Sequence, residues 1–426
     1  MGREQGRLQR TTIAGVQVLG LAVWFSATAV GPSLQQEWGI SSGMLVWLTS
    51  SVQVGFVVGA VASTVLRLAD RFPPQILLAA CAICASTTTG ILALAVDSFG
   101  PAVVLRFFTG VFLAGIYPVG MKLMASWAAP KGRGKAFGIL IGALTVGSAM
   151  PHLISGFGPL PWRQVMGASA ALGILAAIIS LAWIKTGPYA DNRKPSSSTT
   201  RYAMAAFRQR LPRLANIGYF GHMWELYALW TWIPMFIIKS QQDRDAAETL
   251  GVGLTVFVTM GIGGVVGSML GGWAADRWGR PQAAAAALAI SGTCCLISPL
   301  LFGSNDMVLF AFLLVWGAAV IADSGVFSTV LSETVDQRIV GTSLTMQTAI
   351  GFLLTVISIQ FVPLFAEIVG WQYAFVLLLP GPVLGVLAMH TMASIKQTKG
   401  NQKNENDLAV YTPFRRSNSP VVAHRH

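Results

Sequence analysis

The chain has 426 residues, of which 54% are hydrophobic and 11% are charged, and its formal net charge is +12. Soluble globular domains carry about 25% charged residues, so this composition excludes an ordinary soluble fold and favours one embedded in lipid. The basic residues lie between apolar runs and form no stripe interleaved with aromatic residues, which argues against nucleic-acid binding.

Apolar runs of about 20 residues, long enough to cross a bilayer as helices, recur along the whole chain. The first six predicted spans cover residues 12–34, 45–67, 76–96, 101–125, 136–158 and 163–184. The second six cover residues 214–238, 251–274, 281–302, 307–331, 340–365 and 371–393. We therefore predict an all-α integral membrane protein with twelve transmembrane helices in two pseudo-symmetric six-helix bundles.

The polar segments divide the chain into four predicted regions. The N-terminal bundle covers 1–185 and the C-terminal bundle covers 213–395. Between them, 186–212 is rich in Lys, Arg, Ser and Pro and is predicted to be a cytoplasmic linker. After them, 396–426 is predicted to be a disordered cytoplasmic tail.

The distribution of basic residues predicts how the chain is oriented. If the N-terminus is cytoplasmic, the segments on that side hold 24 of the 29 Lys and Arg residues, and the opposite loops hold only Arg163, Lys239 and Arg244. Cytoplasmic loops are enriched in basic residues. We expect a multi-pass protein of the plasma membrane with both termini in the cytoplasm.

The two sets of spans contain related residues at a constant distance along the chain. Asp70-Arg71, after the second span, returns as Asp276-Arg277 after the eighth, 206 residues later. Trp24 in the first span matches Trp230 in the seventh at the same offset. Transporters use such repeated halves to open alternately to the two sides of a membrane.

The loop Gly272-Trp-Ala-Ala-Asp276-Arg277-Trp-Gly279-Arg280 resembles the G-x-x-x-D-R-x-G-R signature of the major facilitator superfamily. The first copy, 66–74, keeps Asp70-Arg71 but has Leu66 for the first glycine and Pro73-Pro74 for the final Gly-Arg pair. Arg106-xxx-Gly110-xxx-Ala114 resembles a second family signature. The resemblance implies alternating access by two rocking halves, with a cytoplasmic latch formed by the loop residues Asp70, Arg71, Asp276, Arg277, Gly279 and Arg280.

Charged residues inside spans cost free energy unless they are paired or hydrated, so they are candidates for function. Arg106 and Tyr117 are eleven residues apart and lie within about 20° of the same helix face. This face is predicted to bind an anion or to relay protons, and the alternative is that Arg106 extends toward the membrane surface.

His222 and Glu225 lie three residues apart in the seventh span and share a helix face. A carboxyl group near the midplane beside a histidine suits proton coupling, and the alternative is a polar clamp between helices. Asp323 in the tenth span lies 206 residues after Tyr117. It is predicted to bind substrate or a cation, or to pair with Arg106 or Lys122. Trp24 and Trp230 are predicted to stack on substrate or to pack between helices.

The sequence has no G-x-x-x-x-G-K-[ST] loop, no H-E-x-x-H motif and no paired Cys/His ligand set. We therefore predict no enzyme activity, no cofactor and no metal. The predicted function is proton-coupled secondary transport of a small organic or inorganic anion by a monomer in the lipid bilayer. Drug or metabolite efflux by proton antiport is one alternative, and a non-transporting membrane receptor is another.

Overall fold

The computed structural model describes residues 3–129, 133–158, 160–190, 207–244, 251–335 and 339–411, and these ranges are helical without any strand. Ten helical segments in them are long and apolar enough to cross a membrane. They are Ser42–Val65, Pro74–Ala95, Phe99–Ser126, Ala136–Ser155, Trp162–Trp183, Val252–Trp278, Arg280–Leu301, Asp306–Thr334, Thr342–Val369 and Trp371–Ile395.

The other two predicted spans are also helical. The first consists of the helices Arg3–Leu21, Ser26–Ala29 and Gly31–Trp38, and the seventh is the single helix Arg210–Asp243. The first span is divided into three helices, and the seventh is one long helix that contains several polar residues. Neither is therefore among the ten long apolar segments. The predicted all-α membrane fold is confirmed. The last helix, Pro380–Tyr411, continues into the predicted tail, whose residues 412–426 lie outside the described ranges, as do 191–206 of the predicted linker.

Glycines allow close crossings at equivalent places in the two halves. A side chain at Gly110 in the fourth span would overlap the backbone carbonyl of Val52 in the second. In the other half, a side chain at Gly267 in the eighth span would overlap the carbonyl of Ala318 in the tenth. Small residues let membrane helices approach until their backbones touch, and this contact replaces the hydrophobic driving force that lipid removes. Gly110 therefore serves packing.

The first, fourth and tenth spans are each interrupted near their middle. The first is non-helical at residues 22–25, the fourth at 114–116, between Phe99–Leu113 and Tyr117–Ser126, and the tenth at Asp323, between Asp306–Ala322 and Ser324–Thr334. Tyr117 and Asp323, 206 residues apart, follow or occupy equivalent interruptions. An interrupted helix leaves backbone carbonyls without their usual partners, so each interruption needs donors from elsewhere.

The bundle has two ends, which we name by described residues. The near end carries Arg3 and the turn at Gly279, and the far end carries Gly39 and Gly370. Gly279 has φ 93°, a value that glycine adopts readily and other residues avoid, which gives a physical reason for glycine in the loop signature. Pro73 occupies the equivalent position of the first copy with φ −55°, so the two halves turn by different means.

Candidate functional site

An aromatic cluster lies where the two halves meet. Trp24 of the first span has its ring centroid 5.1 Å from that of Phe56 in the second span, 5.9 Å from Tyr227 in the seventh and 5.8 Å from Phe352 in the eleventh. Phe56 and Phe352 are 4.5 Å apart. The aromatic cluster comprises Trp24, Phe25, Phe56, Tyr227, Trp230 and Phe352. The structure thus brings the predicted pair Trp24 and Trp230 into one cluster between the halves.

Arg106 lies beside this cluster but is fully buried against protein. Its guanidinium donates to the backbone carbonyls of Val23 (2.9 Å), Leu48 (3.1 Å) and Trp24, and to the hydroxyl oxygen of Ser26 (3.1 Å). Two of these carbonyls belong to the non-helical residues 22–25. Arg106 therefore supplies the donors that the interruption of the first span requires. Its predicted role in anion binding stays a prediction.

The position equivalent to Arg106 in the C-terminal half explains why the first span is interrupted and the seventh is not. Phe312 lies 206 residues after Arg106 and has no side-chain donor. The seventh span, which would need such a donor if it were interrupted, is one continuous helix from Arg210 to Asp243. The first span can be interrupted because an arginine satisfies it, and the seventh keeps its own backbone hydrogen bonds.

His222 and Asp323 form a buried pair in the C-terminal half. Nδ1 of His222 is 2.9 Å from Oδ1 of Asp323, and Nε2 is 3.2 Å from the hydroxyl oxygen of Ser324. Neither Oδ1 nor Oδ2 of Asp323 forms a hydrogen bond among the described residues, so Oδ1 and Nδ1 are in close contact without an aligned N–H. The pair joins the seventh span to the interruption of the tenth.

Glu225 points into the C-terminal bundle. Its Oε1 accepts hydrogen bonds from Trp316 Nε1 (2.8 Å), Cys295 Sγ (3.4 Å) and the Ser291 hydroxyl. Its Oε2 is buried with no partner in the part of the chain that the structure describes. Glu225 and His222 share a helix face as predicted, but each has its own set of partners.

Tyr117 begins the second part of the fourth span, directly after its interruption, and is half-buried. Lys122, one turn further along, donates to the carbonyl of Ala69 at 2.6 Å. This bond ties the fourth span to the short helix Leu68–Arg71 at the near end. Of the partners predicted for Asp323, Lys122 makes this bond at the near end, and Asp323 itself contacts His222.

The loop residues of the predicted latch lie at the near end. Arg280 forms an ion pair with Glu333, at the end of the tenth span. Arg71, Asp276 and Arg277 are exposed, and Gly279 forms the turn. The side chain of Asp70 lies outside the described part of the chain. The role of these residues as a latch between the halves stays a prediction.

The halves are in close contact toward the far end. The fifth span packs on the eighth: a side chain at Gly156 would approach the Leu254 backbone nitrogen to 2.8 Å, and one at Gly261 would approach the Ala149 side chain to 2.9 Å. The second span meets the eleventh, where Gln360 Nε2 lies 3.5 Å from the Ser50 hydroxyl. These contacts hold the two halves together between their middle and the far end.

Several site residues were missed by the sequence analysis. Phe56 and Phe352 complete the aromatic cluster, and Ser291 and Trp316 hold Glu225. Gln53 is a fully buried amide on the second span. Gln53 could have been found from the sequence, because glutamine is rare within an apolar span. Phe56, Phe352, Ser291 and Trp316 could not, because such residues are common in spans and reach the site only through the packing of helices far apart in the chain.

Comparison with known proteins gives the family context. The model of the Major Facilitator Superfamily matches residues 13–359 and 215–422. The chain is 25% identical over 299 residues to a gallate transporter of Pseudomonas putida, which covers 62% of this chain and 64% of that protein, less than two thirds of its length. It is 23% identical over 391 residues to a gentisate transporter of Corynebacterium glutamicum, covering 87% and 83%.

Among solved structures, the fold is similar to that of the nucleoside transporter NupG, with a TM-score of 0.70 and 16% sequence identity. The superposition covers 90% of this chain and 99% of the NupG chain. At this identity the likeness concerns the arrangement of helices.

Proposed function

The chain belongs to the major facilitator superfamily, and from that premise we propose that it is a secondary active transporter that moves a small organic anion across the membrane by alternating access. The aromatic cluster carries the proposal, because it is buried where the halves meet and lies beside the interrupted first span. Sites of this kind of transporter lie near the bilayer midplane, at the interface of the repeats.

The contacts between the halves support a rocking motion. They join span one to seven, two to eleven and five to eight, and in each pair the two spans belong to different bundles. Separation of these pairs at the far end would open the aromatic cluster to that side. One chain contains both halves, so a monomer suffices. We place the near end in the cytoplasm of a plasma membrane because the basic residues concentrate there.

The substrate class follows from the rings of the aromatic cluster. Flat aromatic molecules stack or pack edge-to-face on such rings at centroid separations of about 4.5–7 Å. Gallate and gentisate, the substrates in the names of two relatives, are aromatic carboxylates. An aromatic acid would meet the rings of Trp24, Tyr227 and Phe352 together, which a purely aliphatic or inorganic anion could not exploit.

Proton coupling is assigned to the buried acidic groups of the C-terminal half. Asp323 pairs with His222, and Glu225 accepts three hydrogen bonds, yet each carboxyl retains an oxygen with no partner among the described residues. A carboxylate in a lipid-embedded bundle is costly to keep charged, so uptake and loss of a proton would change the local free energy strongly. A proton symporter needs a group of this kind.

Uptake into proteoliposomes tests the proposed function. Radiolabelled gentisate or gallate should accumulate when the interior is made alkaline relative to the exterior, and should exchange without a gradient. Liposomes without protein and the non-aromatic acid cyclohexanecarboxylate serve as controls. Absence of both accumulation and exchange for the two aromatic acids would contradict the proposal and favour a receptor.

A further inference from the structure

Gln53 is an unusual residue for the middle of an apolar span. Its side chain is fully buried, and neither its amide nitrogen nor its amide oxygen has a hydrogen-bond partner among the described residues. Buried amides are normally hydrogen-bonded, because leaving their donors and acceptors unmet costs free energy. A buried amide without a protein partner is available to hydrogen-bond a water molecule or a ligand, and its surroundings decide which ligand fits.

The position of Gln53 on its helix shows what it faces. Gly55 and Gly59 pack against the backbone of the fourth span, and with about 100° per residue Gln53 lies about 120–160° around the helix from both. Its neighbours on this side are Phe56, which contacts Phe352 of the eleventh span, and Ser50, which Gln360 of the same span approaches. Gln53 therefore lies between two contacts that join the halves and faces the junction.

The junction between the halves contains two further N–H donors that are buried without a partner among the described residues. The indole Nε1 atoms of Trp24 and Trp230 are buried and have no hydrogen-bond partner in the described ranges. Both rings belong to the aromatic cluster, and Trp24 contacts Phe56, one turn from Gln53. The junction thus holds three uncharged N–H donors next to aromatic faces, while the nearby cation, Arg106, is occupied by backbone carbonyls.

We propose that Gln53 is the residue that selects the substrate's carboxylate: its amide N–H, together with the indole N–H of Trp24, binds the anionic oxygens while the aromatic ring lies on the aromatic cluster. The anion is therefore recognised by neutral donors. Hydrogen bonds from neutral donors are weaker than those from a guanidinium, which suits a carrier that must also release its cargo. The inference rests on the proposed transport of aromatic acids and adds the residue that recognises them.

Replacement of Gln53 by methionine tests the inference, because methionine has a similar length and no N–H. The purified full-length protein in detergent is titrated with gentisate and with gallate by calorimetry, and its melting temperature is measured without them. We expect Kd to rise at least tenfold and the melting temperature to stay level or rise, since an unmet amide is removed. Gln36→Met, on the exposed face of the helix Gly31–Trp38, is the matched control and should leave both unchanged.

The outcomes separate the two proposals. If wild-type protein binds gentisate or gallate and Gln53→Met binds equally well, the role of Gln53 is overturned while the transport proposal stands. A clear fall in melting temperature for Gln53→Met would also overturn it, because the amide would then be structural. Gln53→Asn, which keeps the amide on a shorter stem, should weaken binding less than methionine does. If wild-type protein binds neither acid, the substrate class and the role of Gln53 fail together.

Discussion

Replacement of Arg106 by methionine should destabilise the N-terminal bundle rather than act only on substrate. Arg106 donates to the backbone carbonyls of Val23, Trp24 and Leu48, and two of these belong to the interrupted part of the first span. Methionine fills a similar space but leaves the three carbonyls without these donors. Arg106→Lys keeps the charge but presents its donors from one nitrogen, so it cannot reproduce the fork of the guanidinium.

The expected size follows from the number of carbonyls. An unsatisfied buried polar group costs about 1–3 kcal/mol, so three cost about 3–9 kcal/mol. Hydrogen bonds between membrane helices are worth less, about 0.6 kcal/mol on average, because the unfolded chain in the membrane finds other partners. We therefore take the lower limit, about 3 kcal/mol. At about 2–4 °C per kcal/mol for a unit of this size, the melting temperature should fall by about 6–12 °C.

Thermal melting in detergent measures this change. Arg7→Met is the control, since Arg7 is exposed on the first-span helix Arg3–Leu21, and exposed charges contribute about 1 kcal/mol or less. Suppose instead that Arg106→Met melts within 2 °C of wild type and binds gentisate tenfold more weakly. Arg106 would then be a substrate ligand, and the role inferred from its hydrogen bonds would be wrong.

Three further substitutions test the remaining parts of the site. Asp323→Asn removes the charge that pairs with His222 and should abolish gradient-driven accumulation while exchange continues; accumulation at the wild-type level would exclude the pair from coupling. Glu225→Gln should have the same phenotype. If accumulation is unchanged, Glu225 has no part in coupling and serves only as a polar clamp between helices. Gly110→Val would drive a side chain into the Val52 carbonyl and should prevent recovery of monodisperse protein; a well-behaved variant would contradict the close crossing.

The sequence predicted those features that repeat or that have a clear local signal. Apolar runs of bilayer length located the spans, and the offset of 206 residues identified the pair Trp24 and Trp230, both of which lie in the aromatic cluster. Arg106 and Glu225 stood out because charged residues are rare in spans. Each of these features can be identified from neighbouring residues or from one repeated distance.

The partners of those residues could not be predicted in the same way. The interruption of the first span at 22–25 contains no Gly or Pro, so nothing local indicated that Arg106 would be needed there. His222 and Asp323 are 101 residues apart, and their pairing depends on how the seventh span packs beside the tenth. Helix packing decides which side chains meet, and a single sequence does not specify it.

Cross-linking of the far end tests alternating access most directly. Ser50→Cys and Gln360→Cys, introduced after the four native cysteines are replaced by alanine, place thiols where the second and eleventh spans meet. A short cleavable bifunctional thiol reagent should stop gentisate uptake when it joins the two positions, and cleavage of the linker should restore uptake. Uptake that continues at its full rate in completely cross-linked protein would contradict the motion on which the account depends.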